Sequence, residues 1–373
     1  MQITHKFRLY PSKKQEEKLL WTLEKCRFTY NLLLENLNKQ DKPDRLKLQS
    51  MLPSLKNKYP ELKNVYSKVL QYECYKLFSN LKALSRLKKN GKKIGKLRFK
   101  SKNRLKTFVY NQFGFKLIKT GKRLNKLHLS KIGDIPIRQH REINGKIKQI
   151  IIKRYSSGKW YAMLCVEKQT HKQKPKSNKA IGIDVGIKHF LTDSDGRQIE
   201  NPKIYEKLLD RIRLEQRKLS RKQKGSKNYE KQRIRLARYY EKLVNKRDDF
   251  LHKLSRFYAD NYGRICVENL NIRGMVRNRN LARMILDASW GKFIQLLSYK
   301  AGSAGGVVIK VNPKGTSKEY KYGKLDRDYN ASLNILERGL SGQGLSFEPV
   351  ETRPLREIPA SLVIEAGSPI LSG

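Results

Sequence analysis

The spacing between apolar residues changes along this chain, and each spacing is compatible with one kind of secondary structure. Over about 13–38 and again over about 70–84, apolar side chains recur every three or four residues, which predicts amphipathic helices. From about 96 to 168, apolar and polar residues alternate between turn signals such as Asn144-Gly145, which predicts antiparallel strands. After residue 180, short apolar strands alternate with helical segments. The chain therefore predicts a β part followed by an α/β part.

These patterns also predict how the chain is divided. The strand of residues 2–9 is expected to join the later strands in a small antiparallel barrel, with the first helices inserted after it. The last residues are rich in Gly, Ser and Pro and lack the charge excess, so we expect them to be disordered or loosely docked. The predicted segments are a barrel (1–11 and 90–170), a helical insertion (12–89), a polar linker (171–179), an α/β domain (180–338) with a helical hairpin (203–260), and a tail (339–373).

The charge of the chain restricts its partners. Lys and Arg number 83 and Asp and Glu 33, which gives a formal net charge of +50. Such an excess repels itself in a compact protein and favours a polyanionic partner. A membrane partner is not expected, because the longest apolar runs are far shorter than the ~20 residues that span a bilayer. Nucleic acid remains, although an RNA-binding protein of the ribosomal type would be equally basic.

The four cysteines are far apart in the sequence and form no C-x-x-C pair. This spacing argues against a zinc knuckle and against a secreted disulfide framework. No signal peptide is recognisable at the N-terminus, so we expect a reducing cytoplasm, in which these thiols behave as small apolar side chains. The cysteines are Cys26, Cys74, Cys165 and Cys266.

Two stretches carry features of nucleic-acid binding. Residues 203–247 contain 17 basic and 5 acidic residues, so most of the basic side chains cannot be neutralised by salt bridges. This excess favours a surface that follows a phosphate backbone. The predicted barrel combines Lys and Arg with aromatic residues, which suits single-stranded or hybrid nucleic acid, although any one of these rings is more often a core residue. The rings are Phe99, Phe108, Tyr110, Phe113, Phe115 and Tyr155.

Three carboxylates follow or precede the elements of the α/β domain. Asp184 ends the apolar strand Ile181-Gly182-Ile183, Glu268 ends another, and Asp328 opens the last helix. Sites in α/β sheets gather at strand ends and helix starts, and crowded carboxylates need a cation to cancel their charge. Two Mg²⁺ ions held by such a set can hydrolyse a phosphodiester. Each residue alone could be a turn or cap residue, and Asp326 competes with Asp328 for the helix cap.

Several motifs, in this order, resemble the TnpB family of RNA-guided nucleases encoded by insertion sequences, which are described as transposases and are similar to compact type V CRISPR nucleases. The resemblance covers nearly the whole chain. Its segments are Phe7-Arg8-Leu9-Tyr10-Pro11, Gly182-Ile183-Asp184-Val185-Gly186, Val267-Glu268-Asn269-Leu270, Trp290-Gly291-Lys292-Phe293, Val311-Asn312-Pro313-Lys314-Gly315-Thr316-Ser317 and Asp326-Arg327-Asp328-Tyr329-Asn330-Ala331-Ser332.

The resemblance implies a fold and an activity. It implies an RNase H-like (RuvC) nuclease domain whose catalytic, Mg²⁺-binding residues are Asp184, Glu268 and Asp328, and it selects Asp328 over Asp326. It implies a wedge-like barrel with a helical recognition insertion that binds a guide RNA derived from the transposon end. The expected substrate is double-stranded DNA next to a short motif, in a prokaryotic cytoplasm and close to the nucleoid.

The chain departs from the family in one segment. Family members usually carry a zinc-binding insert with two C-x-x-C pairs before the last Asp, but only Ser317 to Arg327 separate Thr316 from Asp328, and none is Cys. We therefore expect no structural zinc. Two alternatives stay open: an RNA-guided DNA-binding protein that has lost cleavage, and a transposase that joins DNA ends. The oligomeric state is left open by the sequence.

Overall fold

A computed structural model describes residues 2–121, 123–167, 177–318, 325–342 and 354–365. The chain forms two compact units, Met1–Gln169 and Thr170–Gly373. The boundary between them lies beside the predicted linker, whose residues 171–176 fall outside the described part. Among the helices in the described ranges, none is both long enough and apolar enough to cross a membrane.

In the sequence of the first unit, the helices follow the first strand and precede the second. The predicted first helix is confirmed: Ser12 and Gln15, at the spacing of a capping box, form one, and the Ser12 hydroxyl accepts the Gln15 amide at 3.3 Å. A second helix, capped by Asp44, was not predicted. Its sequence contains Pro53, which disfavours a helix interior, but Leu48, Leu52 and Leu55 are buried along one side of the helix. The helices are α1 (Lys13–Asn38), α2 (Arg45–Lys58) and α3 (Ser67–Lys89), with a 3₁₀ turn at Pro60–Asn64.

The strands of the first unit form one antiparallel sheet of seven strands. The sheet is curled, as one hydrogen bond between its two ends shows. The Tyr110 hydroxyl, at one end of the strand order, donates to the Ser130 carbonyl, near the other end, at 2.7 Å. The expected strand pattern from residue 96 is wrong up to residue 106, where the described backbone has no strand. In the order β2-β6-β7-β1-β5-β4-β3, the strands are β1 (Gln2–Leu9), β2 (Thr107–Asn111), β3 (Phe115–Ile118), β4 (Asn125–Leu129), β5 (Gly133–Arg138), β6 (Lys146–Arg154) and β7 (Trp160–Glu167).

The second unit is built on a mixed sheet of six strands. In chain order, the first strand pairs antiparallel with the second, and the second antiparallel with the third. On the other side of the first strand, the fourth strand pairs parallel with it, and the fifth pairs parallel with the fourth. The last strand pairs parallel with the third and forms the opposite edge of the sheet. The predicted α/β domain is therefore present. In the order β12-β11-β8-β9-β10-β13, the strands are β8 (Ala180–Asp184), β9 (His189–Asp193), β10 (Arg197–Glu200), β11 (Arg264–Glu268), β12 (Val307–Val311) and β13 (Arg356–Ile358).

The helices of the second unit follow the prediction with one break. The basic hairpin is present and turns at Gly225, which has a φ of 87°. Apolar residues recur at helical spacing over 284–303, which predicts one helix, but Ser289, with a φ of 57°, divides this stretch into two helices. The helices are α4 (Ile204–Ser220), α5 (Lys227–Asn261), α6 (Ile272–Met275), α7 (Arg279–Ala288), α8 (Trp290–Ser303), α9 (Arg327–Ser341) and α10 (Ala360–Glu365).

Of the two expectations for the tail, disorder is wrong for residues 354–363, which are docked on the second unit. This segment forms β13 against β10 and buries Ile358, Ala360 and Val363 in the core of the second unit. The amide of Ala360 also donates to the Glu200 carboxylate at 2.9 Å. The few apolar side chains of the tail are therefore enough to hold this segment, because a sheet edge supplies the backbone partners that it lacks alone.

Candidate active site

Two of the predicted carboxylates lie at the same edge of the sheet. β8 and β11 are parallel, with Ile183 paired to Val267, so Asp184 and Glu268 are the next residues along neighbouring strands. The strands form because both of their faces are covered: Ile181, Ile183, Ile265 and Val267 are buried on one face, and Cys266 is buried on the other face against α9. Asp184 is half-buried and Glu268 is 9% exposed.

Asp328 comes to this edge on α9. Asp326 is the N-cap of the helix, and its carboxylate accepts the amides of Asp328 and Tyr329, both at 3.1 Å. The side chain of Asp328, in the first turn, is therefore not needed as the cap. Gln198 on β10 donates to Asp326 at 3.3 Å and ties the helix start to the sheet. The choice between the two aspartates thus has a physical basis that the sequence did not provide.

Two glycines allow α9 to lie directly on the strands. A Cβ at Gly182 would stand 2.0 Å from the Ser332 carbonyl oxygen, so β8 and α9 make backbone contact there. A Cβ at Gly339 would stand 2.3 Å from the sulfur of Cys266 on β11. Any larger side chain at either position would push the helix away from the sheet and would move Asp328 from the strand ends.

The three carboxylates interact electrostatically. Burial, together with the charges of Glu268 and Asp328, raises the pKa of Asp184 to about 8, and Arg327 opposes this rise. Burial also raises the pKa of Glu268, against the effect of a hydrogen bond from Thr316. Each of these carboxylates disfavours the ionised form of its neighbours, and a bound divalent cation would relieve this repulsion. The structure therefore brings all three predicted residues into one electrostatic cluster.

The cluster is not a closed metal cage. Within the described residues, no three or more His, Cys, Asp and Glu side chains are grouped closely enough to hold a metal ion as they stand. The donors are nevertheless carboxylate oxygens, the ligands preferred by Mg²⁺, and the side chains of Asp and Glu can move toward an ion by rotation. The donor set fits magnesium by its chemistry. The expected absence of a zinc insert concerns Ser317 to Arg327, of which 319–324 lie outside the described residues.

One residue of the site had no role assigned from the sequence. The Thr316 side chain is 1% exposed, and its hydroxyl donates to Oε1 of Glu268. The two residues are 48 positions apart, so no local periodicity connects them. The only available signal was the position of Thr316 in one of the motifs that carry the family resemblance.

The first unit presents a second feature of functional interest, a cation–tyrosine face on its sheet, formed by Lys6, Arg8, Lys153, Tyr155 and Tyr161. The Lys6 ammonium lies 4.5 Å from the Tyr155 ring centre and 4.4 Å from that of Tyr161. Arg8 lies 5.4 Å from the Tyr161 ring and Lys153 lies 4.8 Å from the Tyr155 ring. These contacts hold three positive charges side by side on one surface.

The predicted aromatic surface of the barrel is only partly present. Phe108 and Tyr110 are buried in the core, as the alternative interpretation of each ring allowed. Phe99 and Phe113 are 55% and 68% exposed. The two exposed rings and the cation–tyrosine face are therefore accessible to bases or phosphates.

Comparison with known proteins identifies relatives over the whole chain. Residues 163–279 match a family model described as "Probable transposase" (OrfB, IS605 type), and 290–335 match a "Cas12f1-like, TNB domain". Residues 1–42 match a model described as "Helix-turn-helix domain", although in this structure they contain one strand, β1, and one helix, α1.

Two curated proteins and one solved structure are similar to the chain. The Escherichia coli K12 protein named "Putative RNA-guided DNA endonuclease InsQ" is 29% identical, over 96% of this chain and 97% of its own. A Streptomyces pristinaespiralis protein with the same type of name is 34% identical over 56% of each chain. The cryo-EM structure of a Cas12f1–sgRNA–target DNA complex has a TM-score of 0.52 at 14% identity, covering 90% of this chain and 98% of that one, which shows a shared fold. The chain therefore resembles the TnpB family in its motifs, in the family models that match it and in its relatives.

Proposed function

We propose that this protein is an RNA-guided DNA endonuclease with a RuvC-type, Mg²⁺-dependent site made of Asp184, Glu268 and Asp328. The observation that carries the proposal is the electrostatic coupling of three carboxylates that are distant in sequence, at the strand ends of an α/β sheet. A protein with a net charge of +50 would bring a polyanion to these carboxylates. The names of the similar proteins support the same activity.

The residues of the site have separate roles in this proposal. Two Mg²⁺ ions, when bound, would supply an activated water and would stabilise the leaving oxygen of the phosphodiester. Asp184 and Glu268, on neighbouring strands, would hold the ions on one side, and Asp328 would approach from α9. Arg327, beside Asp328, adds positive charge that would attract the scissile phosphate.

The basic surfaces supply the binding part of the proposed function. The guide RNA would come from the transposon end, and base pairing with it would select the DNA strand. The cation–tyrosine face suits an RNA backbone because its cations are already held in place, so little side-chain entropy is lost when phosphates bind. The strongly basic hairpin of α4 and α5 would follow a nucleic-acid backbone in the same way.

The proposed function is tested by purification and cleavage. The protein is expressed with the DNA that flanks its gene, the RNA that copurifies is sequenced, and a matching duplex beside a randomised flank is offered with Mg²⁺ or with EDTA. The proposal expects one discrete RNA and cuts that require both Mg²⁺ and the guide match. Binding of the matched duplex without cuts would instead select the cleavage-deficient binder, which the open carboxylate cluster keeps as the second candidate. Joined DNA ends would indicate a transposase.

A substitution in the cation–tyrosine face tests the RNA-binding part separately. Lys6→Ala is expected to weaken guide RNA binding about 5- to 10-fold at 150 mM salt and to reduce the slope of log Kd against log salt by about 0.7. The control is Lys39→Ala, because Lys39 is exposed and already paired with Glu35 at 3.0 Å. Filter binding over a salt series measures both values. Equal slopes for the two variants would show that the face does not contact phosphate.

A further inference from the structure

The loop that follows β12 contacts Glu268 through one buried side chain. Thr316 donates its hydroxyl hydrogen to Oε1 of Glu268, and its oxygen also lies 3.1 Å from the Pro313 carbonyl. A hydroxyl has a single hydrogen, so its donation to the carboxylate fixes the direction of the O–H bond. One oxygen of Glu268 is then occupied by Thr316, while Oε2 remains for another ligand.

The same loop is held from the other side by α9. The Asn334 side-chain amide, 1% exposed, donates to the Thr316 carbonyl at 2.8 Å. One turn later, Arg338 donates to the Lys314 carbonyl at 2.6 Å and to the Asn312 carbonyl at 3.3 Å. Three backbone carbonyls of the loop are thus bound by two side chains of the helix that carries Asp328 in its first turn.

We propose that Thr316 is a positioning residue for Glu268, and that Asn334 and Arg338 hold it in place. This inference rests on the proposed nuclease function. Its consequence is that α9 sets the positions of two carboxylates: Asp328 directly, and Glu268 through the loop. A glutamate has three rotatable side-chain bonds, and the hydrogen bond from Thr316 restricts the rotamers open to Glu268.

The inference is tested by comparing Thr316→Val, which keeps the shape of the side chain, with Thr316→Ser, which keeps the hydroxyl. In the full-length protein with its guide RNA, Thr316→Val is expected to lower the single-turnover cleavage rate about 10- to 100-fold, while the Kd for target DNA changes less than about 2-fold. Thr316→Ser is expected to cleave within about 3-fold of the wild type. Calorimetric titration with Mn²⁺, without DNA, is expected to show about 10-fold weaker binding for Thr316→Val alone.

Matched controls separate positioning from general damage to the fold. Ser255 on α5 is also buried, in the same unit, and its hydroxyl donates to the Leu251 carbonyl of its own helix, so Ser255→Ala is expected to cleave and to bind Mn²⁺ like the wild type. If Thr316→Val unfolds at a much lower temperature, Arg338→Ala serves instead, because this side chain donates to two carbonyls of the loop; a smaller loss in the same direction is expected. Equal cleavage and Mn²⁺ binding by the Val and Ser variants would overturn the inference.

The two proposals can fail independently. Asp184→Ala, included in the same assay, is expected to be inactive if the nuclease function is correct. An active Asp184→Ala variant would reject the nuclease site itself, whatever Thr316 does. An inactive Asp184→Ala together with a fully active Thr316→Val would leave the nuclease function in place and would reject the positioning role alone.

Discussion

Replacing Asp184 with Asn is expected to stop target cleavage and also to stabilise the metal-free protein at alkaline pH. The substitution removes a carboxylate that the neighbouring charges of Glu268 and Asp328 oppose. We expect the cleavage rate to fall at least about 10³-fold, which corresponds to about 4 kcal/mol of transition-state stabilisation. Guide RNA binding is expected to be unchanged, because the substitution adds no negative charge.

The stability effect has a defined dependence on pH. The pKa of Asp184 is about 8 in the folded protein, well above the ordinary value for aspartate. Between about pH 4 and pH 8 the folded protein therefore retains a proton that the unfolded chain releases, so stability is lost as the pH rises through this range. A shift of this size sets an upper limit of about 6 kcal/mol, and sharing of the charge among three carboxylates leaves about 2 kcal/mol as our expectation.

The measurement compares thermal unfolding of Asp184→Asn and the wild type from pH 5 to pH 9, in EDTA and in Mg²⁺. The advantage of the variant should grow with pH in EDTA and should shrink in Mg²⁺, because a cation that binds the folded wild type stabilises it. Asp210→Asn is the matched control, since the Asp210 side chain is fully exposed. Identical pH profiles for the two variants would contradict the coupling of the three carboxylates.

Local sequence patterns predicted the parts of the site that depend on local chemistry. Asp184 and Glu268 each end a run of apolar residues, and such runs form buried strands wherever both faces are covered. The cap of α1 was readable for the same reason, because Ser12 and Gln15 are only three residues apart.

The features that the sequence did not predict depend on tertiary contacts. α2 contains Pro53, and its burial of Leu48, Leu52 and Leu55 outweighs that unfavourable residue. β13 exists only because β10 offers it an edge, and Thr316 contacts Glu268 across 48 positions. Residue spacing alone did not separate Asp326 from Asp328; the family resemblance selected Asp328, and the structure adds that Asp326 is the N-cap of α9.

A second large effect is expected from Arg197→Met, which leaves a buried carboxylate without its cation. Asp193, at the end of β9, is 0% exposed, and its Oδ2 accepts from Arg197 at 2.9 Å and from the Tyr258 hydroxyl at 2.7 Å. Its Oδ1 accepts the backbone amides of Asp195 and Arg197 at 3.0 and 2.9 Å. Removal of one partner of such a buried pair costs about 3–5 kcal/mol, because the remaining charge stays desolvated.

This loss bears on the site because the hairpin of β9 and β10 supports β8. Thr192 pairs with Asp184 and Asp193 pairs with Ile183, so an opened hairpin removes one neighbour of the strand that carries Asp184. Hydrogen exchange of the β9 and β10 amides, measured by mass spectrometry at pH 7, is expected to accelerate about 100-fold or more in Arg197→Met. The α1 amides, in the other unit, are expected to exchange at the wild-type rate.

The pH dependence and a compensating variant identify the cause of this destabilisation. Burial raises the pKa of Asp193, and Arg197 opposes that rise, so loss of the guanidinium would raise the pKa further. Protonation then neutralises the carboxylate as the pH falls, and the destabilisation by Arg197→Met should be smaller at pH 5 than at pH 8. The double variant Asp193→Asn/Arg197→Met should recover much of the protection, because no unpaired charge remains in the core. If the double variant exchanges as fast as Arg197→Met, lost packing of the Arg197 side chain against Phe257 and Tyr262 is the cause, and the buried charge is not.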